Sequence, residues 1–202
     1  MDPADAMQRD FCDAPDSTVP FTTSNGMHTT SRDEYEFVVR PVEGKAYPER
    51  TELLGRSELR RQPLRPEHFK EQLDAKNDEL IAGSHPPLML EEQIAGRLYT
   101  GPIYEKLNAV LRAQSGDAFL VGRFERLCLG NTYATTIHAV SSCVLKLSKL
   151  AVATKVYRGL KGASLPPNFF EPDAHGICGG VEFGFTSTSA NRREALAYAS
   201  TS

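Results

Sequence analysis

The chain has 202 residues, 40% of them apolar, a net charge of -3 and no tryptophan. That is room for one domain and a tail, with Phe and Tyr supplying the aromatic packing. The charge gives no reason to expect nucleic acid or an anionic membrane surface as partner, and no apolar run is long enough to span a bilayer. Met1 to Asp16 carries acids and lacks the apolar stretch of a signal peptide. The four cysteines, Cys12, Cys128, Cys143 and Cys178, form no C-x-x-C pair and no legible disulfide framework. Reduced thiols and a cytoplasmic location are the expectation.

In chain order, residues 1–50 read as a disordered tail. Asp, Pro, Ser and Thr dominate Asp2 to Ser31, with few large apolar residues to bury. Tyr35-Glu36-Phe37-Val38-Val39 reads as a strand or docking segment. Residues 51–151 read as a helical lobe. A short helix is expected before Pro63 and another from Pro66 to about Ile81. The cations Arg56, Arg60, Arg61, Arg65 and Lys70 read as a solvated helical face. Leu90, Ile94 and Leu98 recur at helical spacing. Thr100-Gly101-Pro102 breaks that stripe, and Ile103, Leu107, Val110 and Leu111 resume it. Ala118 to Leu129 predicts a further helix. Asn131 or Thr132 then caps the next one, whose apolar face runs Tyr133, Ile137, Val140, Val144, Leu147, Ala151. His138 on that helix has no second ligand at metal spacing.

After Ala151 the pattern changes, and residues 152–202 read as β-containing. Thr154 to Gly159 alternates like a strand. Leu165 to Phe170 is a proline-bounded loop or short helix. Gly179-Gly180 leads into a second predicted strand, Val181 to Thr186. Asn191-x-x-Glu194 is a capping pair for a last helix carrying Ala195, Leu196 and Tyr198. Gly176-x-x-Gly179-Gly180 lacks the strand–turn–helix setting of a dinucleotide fingerprint, and Cys178 has no basic neighbour to activate it.

Two short segments carry candidate chemistry: Val156-Tyr157-Arg158-Gly159 and Glu182-Phe183-Gly184-Phe185-Thr186-Ser187-Thr188-Ser189. An enzyme that breaks the nicotinamide bond of NAD must grip the pyrophosphate, hold the ribose hydroxyls and stabilise an oxocarbenium-like centre. An arginine fork suits phosphate oxygens, a strand-end serine suits a ribose hydroxyl, and a carboxylate suits the developing cation. With Leu98-Tyr99-Thr100-Gly101-Pro102 upstream, the joint pattern from about Leu90 to Ser202 resembles arginine-specific mono-ADP-ribosyltransferases, the R-S-E class.

The resemblance implies an α+β fold in which an N-terminal helical lobe precedes the first strands of a two-sheet NAD-binding core. It covers residues 51–202 as a partial domain. It implies transfer of ADP-ribose from NAD to an arginine of a protein substrate with release of nicotinamide, a glycosyl transfer that needs no metal. Carried over, Arg158 and Ser187 are the catalytic candidates, and Tyr157, Arg158, Gly159, Ser187, Thr188 and Ser189 shape the NAD site. The class also carries a Glu-x-Glu pair after the Ser-Thr-Ser strand, and none follows Ser189 here. Glu34-Tyr35-Glu36 has the spacing but lies far upstream. The expectation is a truncated domain whose transfer is lost or impaired, the alternative being a non-catalytic module that binds NAD or a protein.

Overall fold

The computed structural model describes residues 2–23, 28–40, 63–152, 154–160 and 164–200. The short helix expected before Pro63 lies outside them. The described residues are mainly helical with one two-stranded antiparallel sheet, compatible with a broad α+β class. It divides into two compact units, Met1–Ala151 and Val152–Ser202.

The first unit begins where a tail was expected. Helix α1 spans Pro3–Cys12: Pro3 fits the first helical turn, and Asp2 accepts the Ala4 N–H at 3.0 Å. Strands β1 (Phe21–Thr22) and β2 (His28–Thr29) pair Phe21 with Thr29 and Thr22 with His28. Helix α2 spans Ser31–Val39, capped by Thr30, whose hydroxyl accepts the Asp33 N–H at 3.1 Å. The Tyr35–Val39 run, read as a strand or docking segment, is therefore helix, and the tail assignment fails over the described part of residues 1–50. Met7 and Phe11, four residues apart on α1, are buried, as are Phe21 and Tyr35. Phe11 stacks on Tyr35 and meets Tyr133 edge-on, each with ring centroids 5.3 Å apart. Composition missed this because the segment buries few apolar residues and satisfies its polar ones through distant partners.

Helices α3 (Pro66–Ala82), α4 (Leu90–Tyr99), α5 (Tyr104–Ala113), α6 (Ala118–Cys128) and α7 (Ala134–Leu147) follow the apolar stripes. The main packing partners are α4 with α7 and α5 with α6. Leu98-Tyr99-Thr100-Gly101-Pro102 forms the turn from α4 to α5, with the Gly101 N–H on the Leu98 carbonyl at 2.9 Å. A second apolar cluster joins Leu80, Leu88 and Cys143, with Leu73, Leu147 and Leu150 against it. The buried face of α7 thus runs through Thr136, Val140 and Cys143, whereas Val144 and Ala151 are exposed.

The start of α7 also departs from expectation. Neither Asn131 nor Thr132 caps it. Tyr133 precedes the helix at φ 47°, the left-handed region, which strains a residue with a Cβ. The carboxylate that caps α7 comes from α1: Asp10 accepts both the Thr136 N–H at 3.1 Å and its hydroxyl at 2.9 Å. Burial raises the Asp10 pKa, and the two Thr136 bonds oppose that rise without cancelling it.

In the second unit, a 3₁₀ turn spans Pro167–Phe169 and helix α8 spans Arg192–Ser200. Neither predicted strand forms among the described residues. Thr154–Gly159 makes one isolated antiparallel bridge, Tyr157 to Ser189, and Val181–Thr186 makes none. Alternation alone does not make a strand: a ladder needs a neighbouring edge and a face to bury, and Val181 is 81% exposed.

Candidate functional site

All six sequence-predicted site residues lie in the second unit. Tyr157, Gly159 and Ser189 are half-buried, while Arg158, Ser187 and Thr188 are exposed. The bridge brings the two motif segments together. Tyr157 donates its N–H to the Ser189 carbonyl at 2.8 Å, and Ser189 donates to the Tyr157 carbonyl at 2.9 Å. Arg158 and Ser187 thereby sit one and two residues from a shared couple. A pleat continued outward from it would send Arg158 with Thr188 to one side and Ser187 with Ser189 to the other. Pairing stops at the single couple, so no ladder enforces that alternation. What the geometry provides is adjacency.

The other motif residues are occupied structurally. A Cβ on Gly159 would lie 2.2 Å from the Ala195 carbonyl oxygen and 3.1 Å from the Ala199 nitrogen. The glycine assigned above to the NAD site admits the backbone of α8. The Ser189 hydroxyl donates to Glu194 at 2.6 Å and accepts the Asn191 N–H at 3.0 Å. Arg158, Ser187 and Thr188 have no hydrogen-bond partner among the described residues, so their polar groups stand open to solvent.

Two residues join this constellation that the motifs did not single out. Lys155 Nζ lies 5.7 Å from the Tyr157 ring centroid, adding a cation beside Tyr157. Its i, i+2 spacing from Tyr157 was the available signal. Glu194 holds Ser189, although the sequence offered it only as a helix-capping acid. Three further acids are engaged elsewhere. Glu182 accepts the Gly184 N–H at 2.8 Å. Asp173 accepts the His175 and Ile177 N–H groups at 2.8 and 2.9 Å, which folds the His175–Gly176 turn on itself. Glu34, from the upstream Glu-x-Glu, is wholly buried and accepts the Thr29 hydroxyl at 2.9 Å. That spacing belongs to the packing of the first unit.

The first unit contains a different cluster. Lys106 Nζ donates to Asp16 at 2.6 Å and to the Ser31 hydroxyl at 2.8 Å. Ser31 and Tyr133 share a hydrogen bond at 2.6 Å, and Tyr133 donates to Asp16 at 2.5 Å, closing a ring. Asn131 adds a bond to Asp16 at 2.9 Å. Burial, and then the Asp16 carboxylate, drive the Tyr133 pKa upward. A serine beside a lysine has the composition of a nucleophilic pair. Lys106, Ser31, Asp16 and Tyr133 are all buried, so no substrate reaches them, and the ring is a structural lock.

Among the described residues there is no group of three or more His, Cys, Asp or Glu suited to a metal ion. None of their helices is long and apolar enough to cross a membrane. No protein-family model, no curated protein and no solved structure matches the chain.

Proposed function

We propose that the second unit binds NAD in the manner of an arginine-specific mono-ADP-ribosyltransferase. Arg158 takes the pyrophosphate and Ser187 the nicotinamide ribose. Tyr157, Gly159, Thr188 and Ser189 set the shape of the site. The observation that carries this reading is the two-way backbone couple between Tyr157 and Ser189, because it draws together the two segments that the resemblance rests on. An exposed guanidinium with no described partner is free to form a bidentate contact with phosphate oxygens.

The reaction implied is transfer of ADP-ribose to a protein arginine. As nicotinamide leaves, positive charge builds on the ribose and needs a carboxylate beside it. Glu194 is committed to Ser189, and Glu182 to the Gly184 N–H. The proposal therefore assigns NAD binding to this unit and leaves the stabilising acid unassigned.

Titration of the 202-residue chain with NAD, followed by calorimetry, tests the reading. Saturable binding is expected, weakened at least about tenfold in Arg158→Ala, which loses a charge-assisted bidentate contact. Transfer of labelled ADP-ribose to an arginine acceptor is the companion assay. An absence of saturable binding removes the NAD assignment. A second reading, a non-catalytic interaction module, draws on the seat of Gly159 against α8 and the engagement of Ser189 by Glu194. It expects no response to NAD and none to Arg158→Ala.

A further inference from the structure

We infer that Glu194 is a positioning residue: through Ser189 it fastens α8 to the Tyr157–Gly159 segment and so fixes where Arg158 is presented. The inference rests on the reading of Arg158 as an NAD contact.

The departure of Glu194 from an ordinary capping role is the starting point. As the third residue of α8, it would ordinarily accept the backbone N–H of the cap residue Asn191. Here the Asn191 N–H goes to the Ser189 hydroxyl at 3.0 Å, and that hydroxyl donates onward to Glu194 at 2.6 Å. The Asn191 side-chain amide reaches Glu194 only at 3.4 Å, while its carbonyl oxygen accepts the Arg193 N–H at 3.0 Å. Asn191 thus caps the helix without help, and the carboxylate is turned toward Ser189.

Ser189 is also the residue whose backbone exchanges both hydrogen bonds with Tyr157. A continuous path therefore runs from the first turn of α8, through Glu194 and Ser189, to Tyr157. A second fastening lies on the other side of Arg158. Gly159 sits so close to the Ala195 carbonyl and the Ala199 nitrogen that no side chain fits between them. Arg158 is held between these two attachments, both ending on α8. Its own side chain has no described partner, so its backbone position decides where the guanidinium can reach.

Amide hydrogen exchange of the full chain without ligand, resolved by residue, tests the fastening. Removing an exposed charged bond in Glu194→Ala should speed exchange at Tyr157 and Ser189 about fivefold, with Leu196 and Ala197 little changed. Glu194→Gln keeps an acceptor for the Ser189 hydroxyl and should restore wild-type exchange. Ser189→Ala combined with Glu194→Ala should be no worse than Ser189→Ala alone, since Ser189→Ala already cuts the path through Glu194. NAD affinity should follow the same order: weaker in Glu194→Ala, restored in Glu194→Gln. Unchanged exchange at Tyr157 and Ser189 in Glu194→Ala overturns the fastening. So does equal damage from Ala and Gln, which would assign Glu194 to helix electrostatics or to the chemistry. A wild-type chain that binds no NAD overturns the ligand reading, and the exchange measurements then judge the fastening by themselves.

Discussion

The two units solve the problem of polar groups in opposite ways. The first buries them: Lys106, Asp16, Ser31, Glu34 and Thr136 are shielded from water, and each has a partner. The second buries no described side chain, and Val152 remains 87% exposed. Its order comes from turn and cap bonds together with the Tyr157–Ser189 couple, several of them made by the residues that the motifs single out. In such a unit, one residue that serves a ligand and a neighbour that holds the backbone are hard to tell apart from sequence. The fold and the candidate site must therefore be tested by different measurements.

The largest expected effect lies in the first unit. Asp16→Ala removes the acceptor shared by Lys106, Tyr133 and Asn131. Leaving a buried ammonium unpaired costs about 3–5 kcal/mol, to be read as a lower urea midpoint. Replacing both charges, Asp16→Leu with Lys106→Met, should recover part of the loss and not all of it, because Tyr133 and Asn131 each still lose the bond that Asp16 accepted. A midpoint within experimental error of wild type for Asp16→Ala would remove the lock from the account of this unit.

Next comes Gly159→Ala, which asks whether the second unit has packing of its own. The new methyl would meet backbone rather than a flexible side-chain tip, so α8 or the Arg158 segment has to move. The Tyr157 and Ser189 amides should lose protection, and NAD affinity should fall at least about tenfold, the scale of one lost hydrogen-bonded anchor. The urea transition of the first unit should not shift. A shift there would show that the comparison divides the molecule too cleanly.

Helix periodicity was the most legible layer of this chain. The stripe Leu90, Ile94, Leu98 and its successors mark α4 and α5, and Pro66 marks the start of α3. Longer-range relations were not legible. Asp10 caps α7, and Asp16 pairs with Lys106, although in each case the partners are distant in sequence. Local reading sought a cap at Asn131 or Thr132 and placed the N-terminal acids in a disordered tail. The strands failed for a related reason: alternation in Thr154–Gly159 and Val181–Thr186 reports a preference, while a ladder needs a partner edge. In the candidate site, Arg158 and Ser187 were legible as residue types. The couple that joins their segments and the turn of Glu194 toward Ser189 are properties of the folded chain.

A third test uses pH. Burial alone would raise the Glu92 pKa, but the bonds from Lys146 at 2.8 Å, Ser142 at 2.5 Å and the Met89 N–H at 2.8 Å outweigh it. The net result is a pKa below the ordinary 4.5. A carboxylate depressed in the folded state adds stability that is fully present above its unfolded pKa. That stability is lost as pH falls through the folded value. Glu92→Gln should therefore cost about 1–2 kcal/mol at pH 7, with the gap to wild type closing below pH 4.5. The raised pKa of Asp10 acts with the opposite sign, but it is common to both proteins and cancels in the difference. A gap that is constant from pH 7 downward would mean that the Gln side chain disturbs packing instead.

The smallest effect compares the two units in one experiment. Cys128 is buried, with its thiol against the Lys106 carbonyl at 3.7 Å. Burial pushes its pKa up to about 12, against a smaller downward pull from Lys106. Cys178 in the second unit is exposed. The thiolate is the reactive form, so a thiol reagent at neutral pH should modify Cys178 in the folded chain and Cys128 only when the first unit opens. Cys178→Ser should change the urea midpoint by no more than about 0.5 kcal/mol equivalent, as expected for a surface site. With that variant, the labelling rate of Cys128 reports the opening of the first unit without interference from Cys178. Adding Asp16→Ala should accelerate Cys128 labelling, since the unit opens more often once Lys106 is unpaired. Adding Gly159→Ala should leave the rate unchanged. Equal acceleration by both would mean that the buried ring and the α8 contact stabilise one cooperative structure, and the contrast between the units would then lie in exposure alone.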